Sequence, residues 1–166
     1  MGKQNFSFDV VSEVSMQEVD NAINQAKKEL FIRYDFKGTA SSIEYNRDEK
    51  KITIIAPDDF KIRALKDIVL IKMVRRGVSP KSLVFSDPEK VFSGNLKQTV
   101  EITTGIPKEK AKELIKIIKD LGVKVQSQID EDKVRVFAPK KDDLQLVIQH
   151  LRALDFSVPL SFNNYR

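Results

Sequence analysis

The sequence predicts an α+β protein that contains one βαββαβ unit twice. The clearest sign of the repeat is a pair of similar segments, "KITIIAP" at 51–57 and "KVRVFAP" at 133–139, each leading toward an acidic pair. Around both segments, the alternation typical of strands and the 3.6-residue apolar spacing typical of helices follow in the same order. We therefore interpret the chain as two copies of one unit.

The first copy begins with a predicted strand at 6–11 and a predicted helix behind it. Apolar residues at every second position from Phe6 are typical of a half-buried strand. Ser15 and Glu18 then have the spacing of a capping box, which favours a helix start. The apolar stripe of this helix is Val19, Ala22, Ile23, Ala26 and Leu30.

A hairpin, a second helix and a last strand complete the first copy. "SSIEYN" and "KKITIIAP" are extended runs joined by a charged turn. Asp58 is predicted to cap a helix that ends at Gly77, and "SLVF" supplies the strand. The stripe of this helix is Ile62, Leu65, Val69 and Met73.

The second copy repeats this order. "QTVEIT" alternates as a strand, a helix lies between Pro107 and Gly122, and "VKVQSQI" with "DKVRVFAP" predicts a hairpin. A final helix and the strand "PLSF" follow. The two helical stripes are Ala111, Leu114, Ile115, Ile118 and Leu121, and then Leu144, Val147, Ile148 and Leu151.

The order βαββαβ is that of the ferredoxin-like unit. We expect two four-stranded antiparallel sheets, each with two helices on one face. "SDPEKVFSGN" has the Pro, Gly and Ser of a linker, so the first unit is predicted at 1–90 and the second at 91–166.

The register between the copies shows where they differ. Phe8 and Val100 lie 92 positions apart, whereas Lys51 and Lys133 lie 82 apart, so the first copy is ten residues longer. The additional residues fall within "FIRYDFKGTAS", between the first helix and the hairpin. A loop that breaks a repeat is a common place for function.

Within this insertion, "RYDFKG" combines cations, rings and a glycine. Arg33 and Lys37 would hold phosphate, Tyr34 or Phe36 would stack on a base, and Gly38 would let the backbone approach a ligand. In the alternative interpretation the segment is only a helix exit, with its rings packed down and its charges in water. Composition does not decide between the two.

Composition excludes several classes of site. The chain of 166 residues has no cysteine and one histidine, so disulfides, thiolate metal sites and multi-histidine metal centres are excluded, and no cofactor is predicted. No apolar run is long enough for a membrane span and "MGKQNFSFDVVSEV" lacks a secretory core, so we expect a cytoplasmic protein without a membrane partner. The net charge of +5 favours anionic partners.

Other charged groups are weaker candidates. The predicted helix at 107–121 has a lysine-rich outer face, which is either solvated or rests on phosphates. The acidic pairs Asp58–Asp59 and Asp142–Asp143 open helices, where carboxylates cap and offset the helix dipole. His150 has no adjacent nucleophile, and the chain contains no phosphate-binding glycine motif. Nothing in the sequence forms a catalytic site.

The outer sheet face of the second copy offers one ring beside a cation, Phe137 with Arg135. RNA-recognition modules share the βαββαβ order and stack bases on such a face. Their signature of aromatics alternating beside a glycine is missing here, which disfavours that class.

Several segments together resemble the YajQ family of small bacterial proteins: "SFDVVSEV", "QEVDNAINQAKKEL", "RYDFKG", "IKIIKDLGVKVQSQI" and "DDLQLVIQHLRALDFSVPLSFNNYR". The resemblance runs essentially from end to end. It implies that the first strands are exchanged, so that strand 6–11 pairs in the sheet of the second half and strand 98–103 in that of the first. It departs at Phe31 and Ile32, where smaller or more polar residues are typical, and this favours local packing of the loop.

The resemblance also implies nucleotide binding, with cyclic di-GMP as the named ligand, nucleic acid as another partner and no catalytic residues. It marks "RYDFKG" and the segment Ser7 to Asp9 as family-typical positions. We therefore expect a non-enzymatic receptor for a nucleotide of the cyclic di-GMP, GTP or ATP class that passes a signal to a protein partner. The alternative is an RNA- or DNA-binding protein that uses the basic faces of both units.

Overall fold

The computed structural model describes residues 5–166, so residues 1–4 of the predicted first unit lie outside the described residues. Four α-helices and nine strands are present in the described chain. The strands are β1 Phe6–Val11, β2 Ser42–Asn46, β3 Lys51–Ala56, β4 Leu83–Phe85, β5 Glu89–Lys90, β6 Leu96–Ile102, β7 Gln126–Asp130, β8 Lys133–Ala138 and β9 Ser161–Asn163. The helices are α1 Met16–Ile32, α2 Asp59–Arg75, α3 Lys108–Asp120 and α4 Lys141–Ala153.

These elements form two compact units. Unit 1 consists of residues 5–13 and 104–166, and unit 2 consists of residues 14–103. The predicted α+β class, with two antiparallel sheets and two helices for each, is confirmed. The division of the sequence repeat at 1–90 and 91–166 stays a prediction.

The sheet of unit 1 has the strand order β7-β8-β1-β9, and all of its pairs are antiparallel. β1 lies between β8 and β9, with Phe8 opposite Val136 and Val10 opposite both Val134 and Phe162. Helices α3 and α4 pack on the face that carries these apolar residues. The core of unit 1 therefore contains the first strand of the chain, as the resemblance implies.

The sheet of unit 2 has the order β2-β3-β6-β4, and β6 pairs with β3 along most of its length. β5, which lies within the predicted linker, adds a fifth short strand by pairing with Lys97 and Leu96 of β6. The linker prediction was wrong at this point, because two residues between turn-forming segments are too few to show a strand pattern. Helices α1 and α2 contact each other and cover the apolar face.

The predicted helix starts agree with the structure only in part. The Ser15 hydroxyl and the Asp58 carboxylate accept hydrogen bonds from the backbone N–H groups of Glu18 and Lys61, so both are N-caps. At α4 the N-cap is Lys140 and no side chain caps it. Asp142 and Asp143 instead lie in the first turn, where they still offset the helix dipole.

Gly105 links the start of α3 to two other parts of unit 1. Its N–H donates to the Ser12 carbonyl at 2.7 Å, and the next N–H, that of Ile106, donates to the Asp132 carbonyl at 2.8 Å. Its φ of +78° is in the left-handed region, and a Cβ at this position would lie 2.5 Å from Asp132 Oδ2 and 2.7 Å from Asp132 Cβ. Glycine is therefore required here for two separate reasons.

We predict that Gly105→Ala lowers the free energy of unfolding more than Gly122→Ala. Gly122 also has a positive φ, of +72°, but a Cβ there meets nothing within 4 Å, so its replacement costs only the backbone strain of about 1–2 kcal/mol. Urea denaturation of both variants measures the difference. Equal losses would show that Asp132 moves aside at no cost.

Candidate functional site

The insertion "RYDFKG" forms a tight turn directly after α1. The Arg33 N–H donates to the Glu29 carbonyl at 3.0 Å and closes the helix, while the extended backbone of Arg33 prevents a further turn. Residues Tyr34–Phe36 then form a short 3-10 helix, and Gly38 turns the chain with a φ of +75°. All of these residues belong to unit 2.

The two rings of this turn point to opposite environments. Phe36 is only 4% exposed and packs in the core of unit 2 with Ile43 and Ile54. Tyr34 is 86% exposed. The interpretation of Phe36 as a stacking ring is therefore corrected, because a buried ring has no free face for a base. Tyr34 is the ring of this turn that is open to solvent.

Arg33 is held by carboxylates on both sides. Its Nε and Nη2 donate to the two oxygens of Asp35 at 3.0 and 2.7 Å, and its Nη1 lies 3.5 Å from Glu29 Oε2. The hydrogen bond from Arg33 lowers the pKa of Asp35 below its ordinary value, against a smaller opposing effect of desolvation. Arg33 therefore stabilises the turn, and the carboxylates of Asp35 and Glu29 largely offset its positive charge.

Lys37 is placed differently from Arg33. Its Nζ lies 5.9 Å from the centroid of the exposed Tyr34 ring, within the range of a cation–π contact. Arg33 and Lys61 instead lie over the buried Phe36, at 5.3 and 5.5 Å from its centroid. An exposed ring and an ammonium group thus stand side by side at Tyr34 and Lys37.

A cleft of about 350 Å³ lies beside this turn, within unit 2. Its lining residues are Lys27, Leu30, Phe31, Phe36, Ser41, Ser42 and Ile43. Phe31 is 84% exposed and Ile32 is also exposed, whereas Phe36 in the following loop is buried. Phe31 was not among the site residues predicted from the sequence; the available signal was a large apolar residue that lies off the buried stripe of α1.

The other predicted site residues meet on the outer face of the unit 1 sheet. Asp9 stands opposite Arg135, and Ser7 stands opposite Phe137. The Asp9 carboxylate is 1% exposed, and it accepts hydrogen bonds from Arg135 Nε at 2.9 Å and Asn164 Nδ2 at 2.9 Å. Sequence reasoning had named both Asp9 and Arg135 without recognising that they pair with each other.

This pairing leaves little of Arg135 for a ligand. Its Nη2 also lies 3.4 Å from Asp130 Oδ2, so one guanidinium serves two carboxylates. Arg135 lowers the pKa of Asp9 below its ordinary value, desolvation opposes it, and Asn164 assists. The backbone N–H and carbonyl of Ser7 form two hydrogen bonds with the backbone of Arg166, so these groups are not available to a ligand. Phe137 remains partly exposed.

Metal and membrane sites receive no support from the described chain. Among residues 5–166, no group of three or more His, Cys, Asp or Glu side chains is placed to hold a metal ion. In the same residues, none of the helices combines the length and apolar character that crossing a bilayer requires.

Fold and site together define a class: duplicated ferredoxin-like proteins with exchanged first strands and a cationic, aromatic turn after the first helix. The chain belongs to the family described as nucleotide-binding protein YajQ-like, whose model matches residues 6–166. A relative from Endomicrobium trichonymphae is 55% identical over 161 residues, covering 97% of this chain and 98% of that protein. A relative from Enterococcus faecalis is 48% identical over 166 residues, covering both chains completely. Both relatives are named nucleotide-binding protein.

We predict that Phe36→Ala destabilises the protein and that Tyr34→Ala does not. Phe36→Ala is expected to cost about 3–5 kcal/mol of unfolding free energy, because it leaves a cavity in the core of unit 2. Tyr34→Ala is expected to leave the melting temperature nearly unchanged. Thermal unfolding of both variants checks the assignment, and similar losses for the two would contradict it.

A second prediction concerns Asp9 and pH. Because its folded pKa is lowered, the stabilisation by Asp9 is fully present above the unfolded value near 4 and is lost as pH falls through the folded pKa. Asp9→Asn is expected to cost about 1.5–3 kcal/mol at neutral pH. Denaturation at a series of pH values should show the difference from the native protein shrinking in acid. A difference that stays constant down to the lowest pH would contradict this role.

Proposed function

We propose that the protein binds an anionic nucleotide without turning it over, and that the surface at the end of α1 is the binding site. We call this surface the α1-end surface: Lys27, Phe31, Tyr34, Lys37 and the serines Ser41 and Ser42. Two observations carry the proposal: the exposed Phe31 ring and Lys27 line a cleft, and in the turn that follows α1 the exposed Tyr34 ring has the Lys37 ammonium beside it. The names of the relatives support the same ligand class.

The chemistry of this surface suits a nucleotide. An exposed ring offers a flat apolar face on which any base can stack, and stacking is tolerant of base identity. Lys27 and Lys37 supply point charges for phosphate, and serine hydroxyls supply donors and acceptors for sugar or base edges. Gly38 keeps the backbone accessible beside Lys37.

Cyclic di-GMP is the ligand that we favour within this class. It carries two bases and two phosphates, and the α1-end surface offers two exposed rings and two lysines. GTP and ATP carry a single base and a concentrated triphosphate charge, which matches this distribution less well. In this proposal the protein is a cytoplasmic receptor, in keeping with a chain without cysteine, and the bound complex is read by a protein partner.

Binding without catalysis follows from the groups that the surface contains. Hydroxyl, ammonium and aromatic side chains hold a nucleotide, but general acid–base or nucleophilic catalysis also needs a base within hydrogen-bond reach of a nucleophile. The one histidine of the chain, His150, belongs to α4 in unit 1 and not to this surface. The proposed role is therefore that of a receptor.

One observation favours nucleic acid as a second candidate ligand. The side chains of Lys108, Lys112, Lys116 and Lys119 are all exposed along α3 in unit 1. A row of this kind contacts successive phosphates in nucleic-acid-binding proteins, and binding of that type weakens steeply with salt.

Calorimetric titration with cyclic di-GMP, GTP, ATP and a short RNA, each at low and high salt, tests the proposal. We expect the tightest binding for cyclic di-GMP and a shallow salt dependence. Tyr34→Leu and Lys37→Gln should each weaken it about ten-fold, equivalent to about 1.4 kcal/mol. Lys116→Gln on α3 is the matched control and should have no effect.

Two results would overturn this assignment. Tighter binding of RNA with a steep salt dependence, lost in Lys112→Gln and Lys116→Gln, would move the function to α3. Nucleotide binding that is unaffected by Tyr34→Leu and Lys37→Gln would leave the ligand class intact but place the site elsewhere.

A further inference from the structure

A second cleft in unit 2, of about 340 Å³, lies between the first turns of α2 and the segment Phe85 to Pro88. It shares no lining residue with the cleft at the α1-end surface. We propose that this α2 cleft binds a small zwitterion of the α-amino-acid type. The proposal concerns a site separate from that of the nucleotide.

One wall of the α2 cleft carries two cations, Arg63 and Lys66, that form no ion pair in the described part of the chain. Within residues 5–166, neither Arg63 nor Lys66 has a carboxylate within ion-pairing distance. Lys66 Nζ lies 4.5 Å from the centroid of the Phe85 ring, and Arg63 Nε donates to the Asp59 carbonyl at 3.3 Å. The remaining donors of both side chains are available to a ligand carboxylate, which charge-assisted bonds hold well.

The cleft also contains carboxylates, and these decide the class of ligand. Asp59 lies at the start of α2 and Asp87 lies on the opposite segment, so the four charged side chains around the cleft sum to zero. A phosphate dianion would gain from Arg63 and Lys66 but would be repelled by the two acids. A ligand that carries one charge of each sign places its carboxylate on the α2 wall and its ammonium toward Asp87.

Gln98 supplies a further group for an ammonium. It is 5% exposed and lines the cleft from the inward face of β6, where its neighbours Leu96, Val100 and Ile102 are apolar. Its Nε2 donates to the Ser86 carbonyl at 2.7 Å, which fixes the carboxamide. Its Oε1 receives no hydrogen bond from any described residue and is not fully buried, so it can accept one from a ligand in the cleft.

The remaining lining of the cleft suits the rest of an amino acid. Ile62, Pro88 and the partly exposed Phe85 ring form apolar walls for a ligand side chain. The volume lies at the lower end of the range for small-molecule sites, which limits the ligand to a single small molecule.

The test is titration of the full-length, 15N-labelled protein with each of the common L-α-amino acids. Matched probes are the corresponding carboxylic acids without an amino group and inorganic phosphate. At least one amino acid is expected to shift the Gln98 side-chain amide and the amides of residues 85–87 saturably. Arg63→Gln and Asp87→Asn should each weaken that binding about ten-fold or more. Arg75→Gln and Asp67→Asn, which change exposed charges elsewhere on α2, are the controls and should have no effect.

The outcomes separate this proposal from the nucleotide site. Lys37→Gln should leave amino-acid binding unchanged, and Arg63→Gln should leave nucleotide binding unchanged. The assignment of a zwitterionic ligand would be overturned if phosphate or the amine-free acids caused saturable shifts as strong as those from any amino acid. It would also be overturned by the lack of any saturable shift across the amino acids, or by equal effects of the cleft variants and their controls.

Discussion

The position of β1 between β8 and β9 is the constraint on which unit 1 depends. Among the strands described for unit 1, β1 alone comes from the N-terminal part of the chain, yet it supplies the central apolar residues Phe8 and Val10. Burying a phenylalanine or valine side chain contributes about 1.5–3 kcal/mol. On the other face of the strand, Asp9 accepts hydrogen bonds from Arg135 of β8 and from Asn164, so the strand is held from both sides. In unit 2, β6 takes the complementary position beside β3.

The elements of the fold were predictable because their signals are local. Period-two alternation located β1 at its observed bounds, and Asp58 marked the start of α2. The partners of β1 and β6 were not predictable from these patterns, because alternation specifies which face of a strand is buried and not which strand lies next to it. That knowledge came from the resemblance to a family. β5 escaped prediction because two residues carry no period.

The candidate site was predicted as a segment but not in its details. The difference in spacing between the two copies located the insertion. The sequence did not show that a single 3-10 turn buries Phe36 and exposes Tyr34, because the spacing does not specify the direction of each side chain. The sequence also did not show that two of the predicted phosphate-binding cations are already paired. Arg33 pairs with Asp35, two residues away, and Arg135 pairs with Asp9, which is distant in the sequence. Lys37, Arg63 and Lys66 are not held by carboxylates in this way, and the binding proposals therefore rest on them. Both proposals therefore assign ligand binding to cations that the fold leaves without a carboxylate partner.

Native-state hydrogen exchange at increasing denaturant tests the central claim that β1 belongs to unit 1 although it precedes α1 in the chain. Amides in a cooperative unit lose protection together. The amides of Phe8 and Val10 should therefore become exchangeable along the same curve as those of Val134 and Val136 in β8. Exchange of Phe8 and Val10 along the curve of Ile52 and Ile54 in β3, with β8 following a different curve, would contradict the account.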